Sequence, residues 1–258
     1  MIRELLGIYI IWLRDVKKFF RDRPRIFGSI AQPAIFLFVL GSGLASSFKV
    51  FGGGGTGGKE FLNFMYPGII SMTVLFTSFF NAMSIVWDRE FGFMKEVLIA
   101  PVSRASIVIG KNLGGATMAM IQGAIILVFA PLLKIQITWI SVLKLIPIMF
   151  IVAMAISSLG VAVAARLKTM QGFQMITNFL LMPMFFLSGA LFPLTNAPKW
   201  MDVIAKINPV TYGVDAMRST IINIPALQLH PIYIDLLILT GIIVVMTFVG
   251  IILFNRPD

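Results

Sequence analysis

The sequence predicts an all-α membrane protein, a bundle of six transmembrane helices, on three observations. Of the 258 residues, 58% are hydrophobic and 12% charged, against about 25% charged in a soluble domain, so there is too little polar surface to wrap a soluble core. Mean hydropathy is +0.94, and apolar runs near the ~20 residues needed to cross a bilayer recur along the chain. The basic residues behind the net charge of +10 flank those runs instead of forming one patch, which argues for membrane topology and against nucleic acid. With no cysteine, disulfides and thiol chemistry are excluded.

Residues 1–24 read as an interfacial helix. Ile2, Leu5, Leu6, Tyr9, Trp12, Leu13, Val16, Phe19 and Phe20 share one helical stripe, and the charged residues fall off it. Pro24 is expected to end the helix, and the N-terminus reads as retained because these charged residues are unlike a signal peptide. The first span is expected from Ile26 to Phe48, interrupted by Pro33, and a glycine tract, Gly52 to Gly58, follows it. The second runs from Phe61 to Val86. Residues 87–105 hold too many charges for a bilayer centre and read as a loop or surface helix. Three further runs, Ser106 to Leu133, Trp139 to Ala165 and Gly172 to Leu194, are each long enough to cross. An irregular stretch at 195–222 separates them from the last span, Ile232 to Phe254. The positive-inside bias puts the basic clusters around Arg14, Arg89 and Arg166 in the cytoplasm, with both termini.

The segment Gly53 to Lys59 has the spacing of a phosphate-binding loop, but Glu60 replaces the hydroxyl residue that would hold magnesium, and the topology puts it outside the cell. The chain is therefore expected to carry no nucleotide, cofactor or metal site and no catalytic residue. His230 reads as a loop histidine without a special role. Lys111, Lys144 and Asp235 fall near span ends, where snorkelling or an end contact explains them, which weakens an ion-coupled transport reading. Gln32, Asn81, Gln122 and Asn178 fall inside the spans and are pathway candidates, although polar span residues commonly join helices. The 23 Phe and 16 Met suit a surface that accepts amphipathic cargo, as they also suit cores and lipid faces.

Phe91, Met94, Val97 and Leu98 form an apolar face that could dock into a partner's groove or rest on lipid. More specific are Arg89-Glu90-x-Gly92, Leu98, Pro101, Arg104 and Gly110-Lys111, which together resemble the first cytoplasmic loop of type-2 ABC exporter permeases. Ser188-Gly189, Phe192-Pro193, Pro198-x-Trp200, Asn208-Pro209-x-x-Tyr212 and Asp215-x-x-Arg218 extend the resemblance over nearly the whole chain. It looks most like the daunorubicin-type drug exporters and the nodulation-factor exporters.

The resemblance implies the transmembrane subunit of an ATP-driven exporter in the inner (plasma) membrane. Two copies would form the pathway, and two separate ATPase subunits would bring ATP and magnesium. Arg89, Glu90, Gly92, Leu98, Pro101 and Arg104 would belong to the ATPase-coupling segment. Phe192, Pro193, Trp200, Asn208, Pro209, Tyr212, Asp215 and Arg218 would form an outer gate of two short re-entrant helices between spans five and six. The implied cargo is hydrophobic or amphipathic; a lipid-linked glycan or lipo-oligosaccharide is the alternative within the fold. An ATP-independent channel or scaffold is the alternative outside it.

Overall fold

The computed structural model describes residues 2–40, 43, 57–92, 102–133, 135, 137–222 and 228–255. Leu98, Pro101, Met94, Val97, Gly52 to Gly55 of the glycine tract and the end of the first expected span lie outside the described residues, whereas Gly57 and Gly58 already belong to a helix, ahead of the expected start of the second span at Phe61. Among those described, every regular element is a helix: α1 Ile2–Arg21, α2 Arg23–Ile35, α3 Gly57–Asn81, α4 Met83–Glu90, α5 Arg104–Leu127, α6 Trp139–Ala164, α7 Met170–Phe186, α8 Lys199–Ile207, α9 Pro209–Ile222 and α10 Ile232–Asn255, with short turns of other helix types between some of them. Among the described residues four stretches are long and apolar enough to cross a membrane: Phe61–Glu90, Arg104–Leu133, Trp139–Ala164 and Ile232–Asn255; a shorter apolar helix covers Ile26–Val39.

Two boundaries differ from expectation. The break after α1 falls at Asp22, and Pro24 lies in the first turn of α2, where its missing N–H has no helical partner to lose. Trp87 to Glu90 do not begin a separate surface helix; they are the last turn of α4, which continues the second span past a one-residue turn at Ala82. Gly92 stops it with φ +83°, a left-handed conformation that a side chain would strain. The fifth expected run shortens to α7, 17 residues, which is about 25 Å of helix and the low end of a span. In the first run a π-helical turn, Phe36–Leu40, follows Pro33, whose ring disrupts the ladder just before it.

Helices α3, α5 and α6 make the centre, α1 lies along α5, and α10 packs chiefly on α6 and α9. Glycine permits the closest approaches. A Cβ on Gly110 would stand 2.9 Å from Ile11 Cβ, one on Gly115 would meet the Ser157 hydroxyl, and one on Gly213 would reach Val152 at 2.8 Å. Side-chain hydrogen bonds join the same faces, from Trp12 to Thr117 (3.0 Å), Asn112 to Thr247 (3.1 Å) and Tyr66 to the Ile126 carbonyl (2.9 Å). Helix α10 is mostly uncovered, with Leu237, Val244 and Phe248 exposed, as a helix facing lipid or another chain must be.

Candidate functional site

The sequence-predicted pathway residues divide. Gln32, Asn81 and Gln122 come together around a cavity of about 270 Å³ between α2, α3 and α5, which Met72, Phe76 and Phe19 also line. Thr77 donates to the Gln122 carbonyl oxygen and the Gln122 amide donates to Ser29, so this buried side chain joins α2, α3 and α5. Asn178 is not among them. It is exposed on α7, whose only buried stripe is Phe173, Thr177, Leu181 and Phe185.

At one end of the bundle, charged side chains bind helix termini of matching polarity. The Arg89 guanidinium donates to the carbonyls of Ala165 (2.8 Å) and Leu167 (3.1 Å), just past the C-terminus of α6. The Glu90 carboxylate accepts from the Met170 N–H (2.8 Å) at the N-terminus of α7, beside the Thr169 cap. Arg104 donates to the Phe254 carbonyl at the end of α10. Glu4 of α1 accepts from the Ser103 N–H (3.1 Å) and from the Ser103 and Ser106 hydroxyls, over the N-terminus of α5. Cations on C-termini and anions on N-termini satisfy both the dipoles and the orphan backbone groups. The Ser103 and Ser106 hydrogen bonds hold the Glu4 carboxyl down at about 2.

A buried charge group lies beneath this end. Lys111 Nζ sits 3.0 Å from Asp15 Oδ1, donates to the Ser84 hydroxyl at 2.8 Å and is 4.0 Å from Asp88, which also pairs with Arg14 at 3.1 Å. Lys111, for which snorkelling or an end contact was expected, is 2% exposed and bonded to two other helices, α1 and α4. Beyond this group the Trp87 and Phe91 rings meet at 4.8 Å, tilted by 35°, and both are exposed. Of the expected coupling residues, then, Arg89, Glu90 and Arg104 face neighbouring helices of their own chain. Gly92 is exposed beside the aromatic pair.

At the opposite end α8 and α9 meet at Asn208. Its side chain accepts from the Val210 N–H (3.0 Å) and donates to the Met184 carbonyl (2.6 Å), which caps α9 and ties it to α7. Pro209 follows as the first helical residue, where proline is preferred. Tyr212 donates to the Lys206 carbonyl across the turn. Asp215 and Arg218 do not pair with each other. Asp215 accepts from the Leu229 and His230 N–H groups at 2.8–3.1 Å, and Arg218 donates to the Gly189 carbonyl at 2.7 Å with its guanidinium 4.0 Å above Phe64. Gly189 takes φ +76°, and the adjacent Ala190 carbonyl presses on α3 where a Cβ on Gly68 would stand 2.2 Å away. Phe192, Pro193 and Trp200 remain exposed, as do Val203, Ile204 and Ile207 on the apolar face of α8.

A family model described as ABC-2 type transporter matches residues 7–222. The chain belongs to that family. Its members act in membrane transport with ABC ATPase partners. Curated relatives of this ABC-2 chain include a putative transport permease, ycf38, of Cyanophora paradoxa, 29% identical over 79% of this chain and 71% of the relative. Nodulation protein J of Rhizobium leguminosarum bv. viciae is 29% identical over 78% and 76%. The inner membrane transport permease YadH of Escherichia coli K12 is 25% identical over 83% and 82%. The match covers the Arg89 and Glu90 contacts at the ends of α6 and α7, the cavity and the α8–α9 turn, but leaves out Glu4, His230 and α10.

Proposed function

We propose that this ABC-2 chain is the transmembrane subunit of an ATP-driven exporter for hydrophobic or amphipathic compounds, working as a pair of identical copies over two ATPase subunits. The observation that carries the reading is the cavity, where amide side chains stand among Phe and Met in a transport-family bundle. At about 270 Å³ it falls just under the roughly 300–1,000 Å³ of pockets for drug-sized ligands, so one copy accommodates part of a cargo. A second copy accounts for the remaining wall and for the exposed amides Gln174 and Asn178, which are costly against lipid.

In this reading α2, α3–α4, α5, α6, α7 and α10 are the six spans, α8 and α9 form a re-entrant outer gate, and both termini face the cytoplasm. The ATPase meets the Trp87–Phe91 pair and the segment that follows Gly92. Force applied there passes through Glu90 into α7 and through Arg104 into α10. Such a chain needs no nucleotide site of its own, because ATP and magnesium act on the partner.

Gly28 provides the test, since it lines the cavity and a Cβ on it meets nothing within 4 Å. In vesicles containing the permease and its ATPase, Gly28→Phe should block export of a lipophilic dye while basal ATP hydrolysis persists. Export at the unaltered rate by the filled variant would remove the cavity from the pathway. Passive conduction by the isolated chain would overturn the exporter reading. The gathered amides also suit the hydroxyls of a lipid-linked oligosaccharide, so competition between dye and glycolipid for export separates the two cargo classes.

A further inference from the structure

We propose that Asp215, His230 and Asp235 form a binding site for one divalent cation of the zinc class, which clips α9 to the first turns of α10 at the gate end of the bundle. The inference does not depend on what the bundle transports.

Three segments contribute: α9, the turn before α10, and α10 itself. His230 Nδ1 lies 3.7 Å from Asp235 Oδ1 and 3.9 Å from Asp215 Oδ2, and one ligand atom from each residue falls within 4.8 Å of the others. Asp235 is fully buried, with 0% exposure, yet among the described residues neither carboxylate oxygen has a hydrogen-bond partner, and His230 Nδ1 has none either. Among the described residues no Lys or Arg nitrogen stands within 4.0 Å of either aspartate; Arg218, one turn along α9, is turned to Gly189 and Phe64.

A buried carboxylate with both oxygens unsatisfied is expensive, and a second carboxylate beside it makes the site more so. Direct hydrogen bonds to the imidazole do not relieve it, because 3.7 and 3.9 Å are too long. Those distances suit an intervening ion. Zinc binds nitrogen and oxygen ligands at about 2.0–2.2 Å, which puts neighbouring ligand atoms roughly 3.4 Å apart in a tetrahedron. The two histidine edges then close by only a few tenths of an ångström.

The donor set favours the same class. One imidazole and two carboxylates match a borderline cation with a fourth position left for water, whereas calcium takes six to eight oxygens. The supporting groups are in place. Asp215 is oriented by the Leu229 and His230 N–H groups, leaving lone pairs free, and the Tyr212 ring backs the imidazole at 5.5 Å. The His230 side chain is 33% exposed, which gives an ion a way in.

The test uses the full-length chain in lipid nanodiscs, stripped with chelator and titrated with zinc chloride against a chromogenic chelator. One zinc per chain is expected, with His230→Ala and Asp235→Asn each weakening binding by about tenfold or more. Asp202→Asn, in the exposed Asp202–Lys206 pair of α8, should leave affinity unchanged. Zinc should also raise the melting temperature of the unaltered chain and not of Asp235→Asn, whose metal-free melting temperature is expected to hold or rise because a buried charge is gone. Absence of stoichiometric binding, binding indifferent to both substitutions, or a preference for calcium over zinc would each overturn the site.

Discussion

Glu90→Ala is the sharpest probe of how the two faces of the protein communicate. The native carboxylate accepts from the Met170 N–H at 2.8 Å and places a negative charge at the N-terminus of α7. Loss of such a cap costs about 0.5–2 kcal/mol, and because Glu90 is exposed the lower half applies, about 1 kcal/mol. That corresponds to roughly a fivefold shift in the opening of the first turn of α7, since 1.4 kcal/mol is tenfold. The residue stands directly before the Phe91–Gly92 turn that ends α4, so on the proposed function loosening it detaches α7 from the ATPase that acts on that turn.

Two assays read the change. Hydrogen exchange at the amides of Met170 to Phe173 should accelerate about fivefold in the variant, with amides in α5 unaffected. On the proposed function, the number of cargo molecules exported per ATP hydrolysed, in vesicles with the ATPase, should fall while hydrolysis continues. Glu90→Asp is too short to reach Met170 and should behave like alanine. If exchange at Met170–Phe173 is unchanged, the carboxylate does not hold α7 in the membrane. If exchange accelerates but coupling is intact, α7 is not the element through which force travels.

Three further outcomes follow from the geometry. Lys111→Met leaves Asp15, 4% exposed, with a buried charge and no lysine; a loss of about 3–5 kcal/mol is expected, and Lys111→Met with Asp15→Leu should recover much of it, read as melting temperature in detergent. Gly68→Ala drives a methyl group to 2.2 Å from the Ala190 carbonyl and should destabilise the α8–α9 end of the bundle severely, whereas Gly241→Ala, with nothing within 4 Å, should be neutral in the same thermal assay. The Glu4 carboxyl, held at about 2 against an ordinary 4.5, gives a folded-state value below the unfolded one. Its contribution is therefore complete above about pH 4.5 and lost as pH falls through about 2. Trp12 fluorescence, reporting α1 against Thr117, should be flat from pH 7 to 4.5, and Ser103→Ala with Ser106→Ala should move the onset of change upward.

Much of the fold was legible because spans announce themselves by apolar length, which is the property the bilayer selects. Trp139–Ala164 and Ile232–Asn255 fall within a residue of the runs read from sequence. Helix ends were harder, because hydropathy is silent about hydrogen bonds. The charges from Asp88 to Glu90 read as part of a loop or surface helix, yet they close the last turn of α4, and Arg89 and Glu90 bind the termini of α6 and α7. A Gly110-x-x-x-Gly114 pattern was present to mark where α1 crosses α5, since both glycines face α1, at Ile11 and Asp15.

The candidate sites show the same division between what spacing carries and what only folding brings together. Gln32, Asn81 and Gln122 could be picked out singly as polar residues in apolar helices, but their sharing of one cavity, and the separation of Asn178 from it, depend on how each helix is rotated. His230 gave no motif because its partners lie 15 residues before and five residues after it, on different elements. Each residue alone had an ordinary explanation: a loop histidine, a span-end aspartate, a member of a gate motif. Together they leave, among the described residues, a carboxylate at 0% exposure with no hydrogen bond, a cost that the proposed cation would offset and that no one of the three residues reveals by itself.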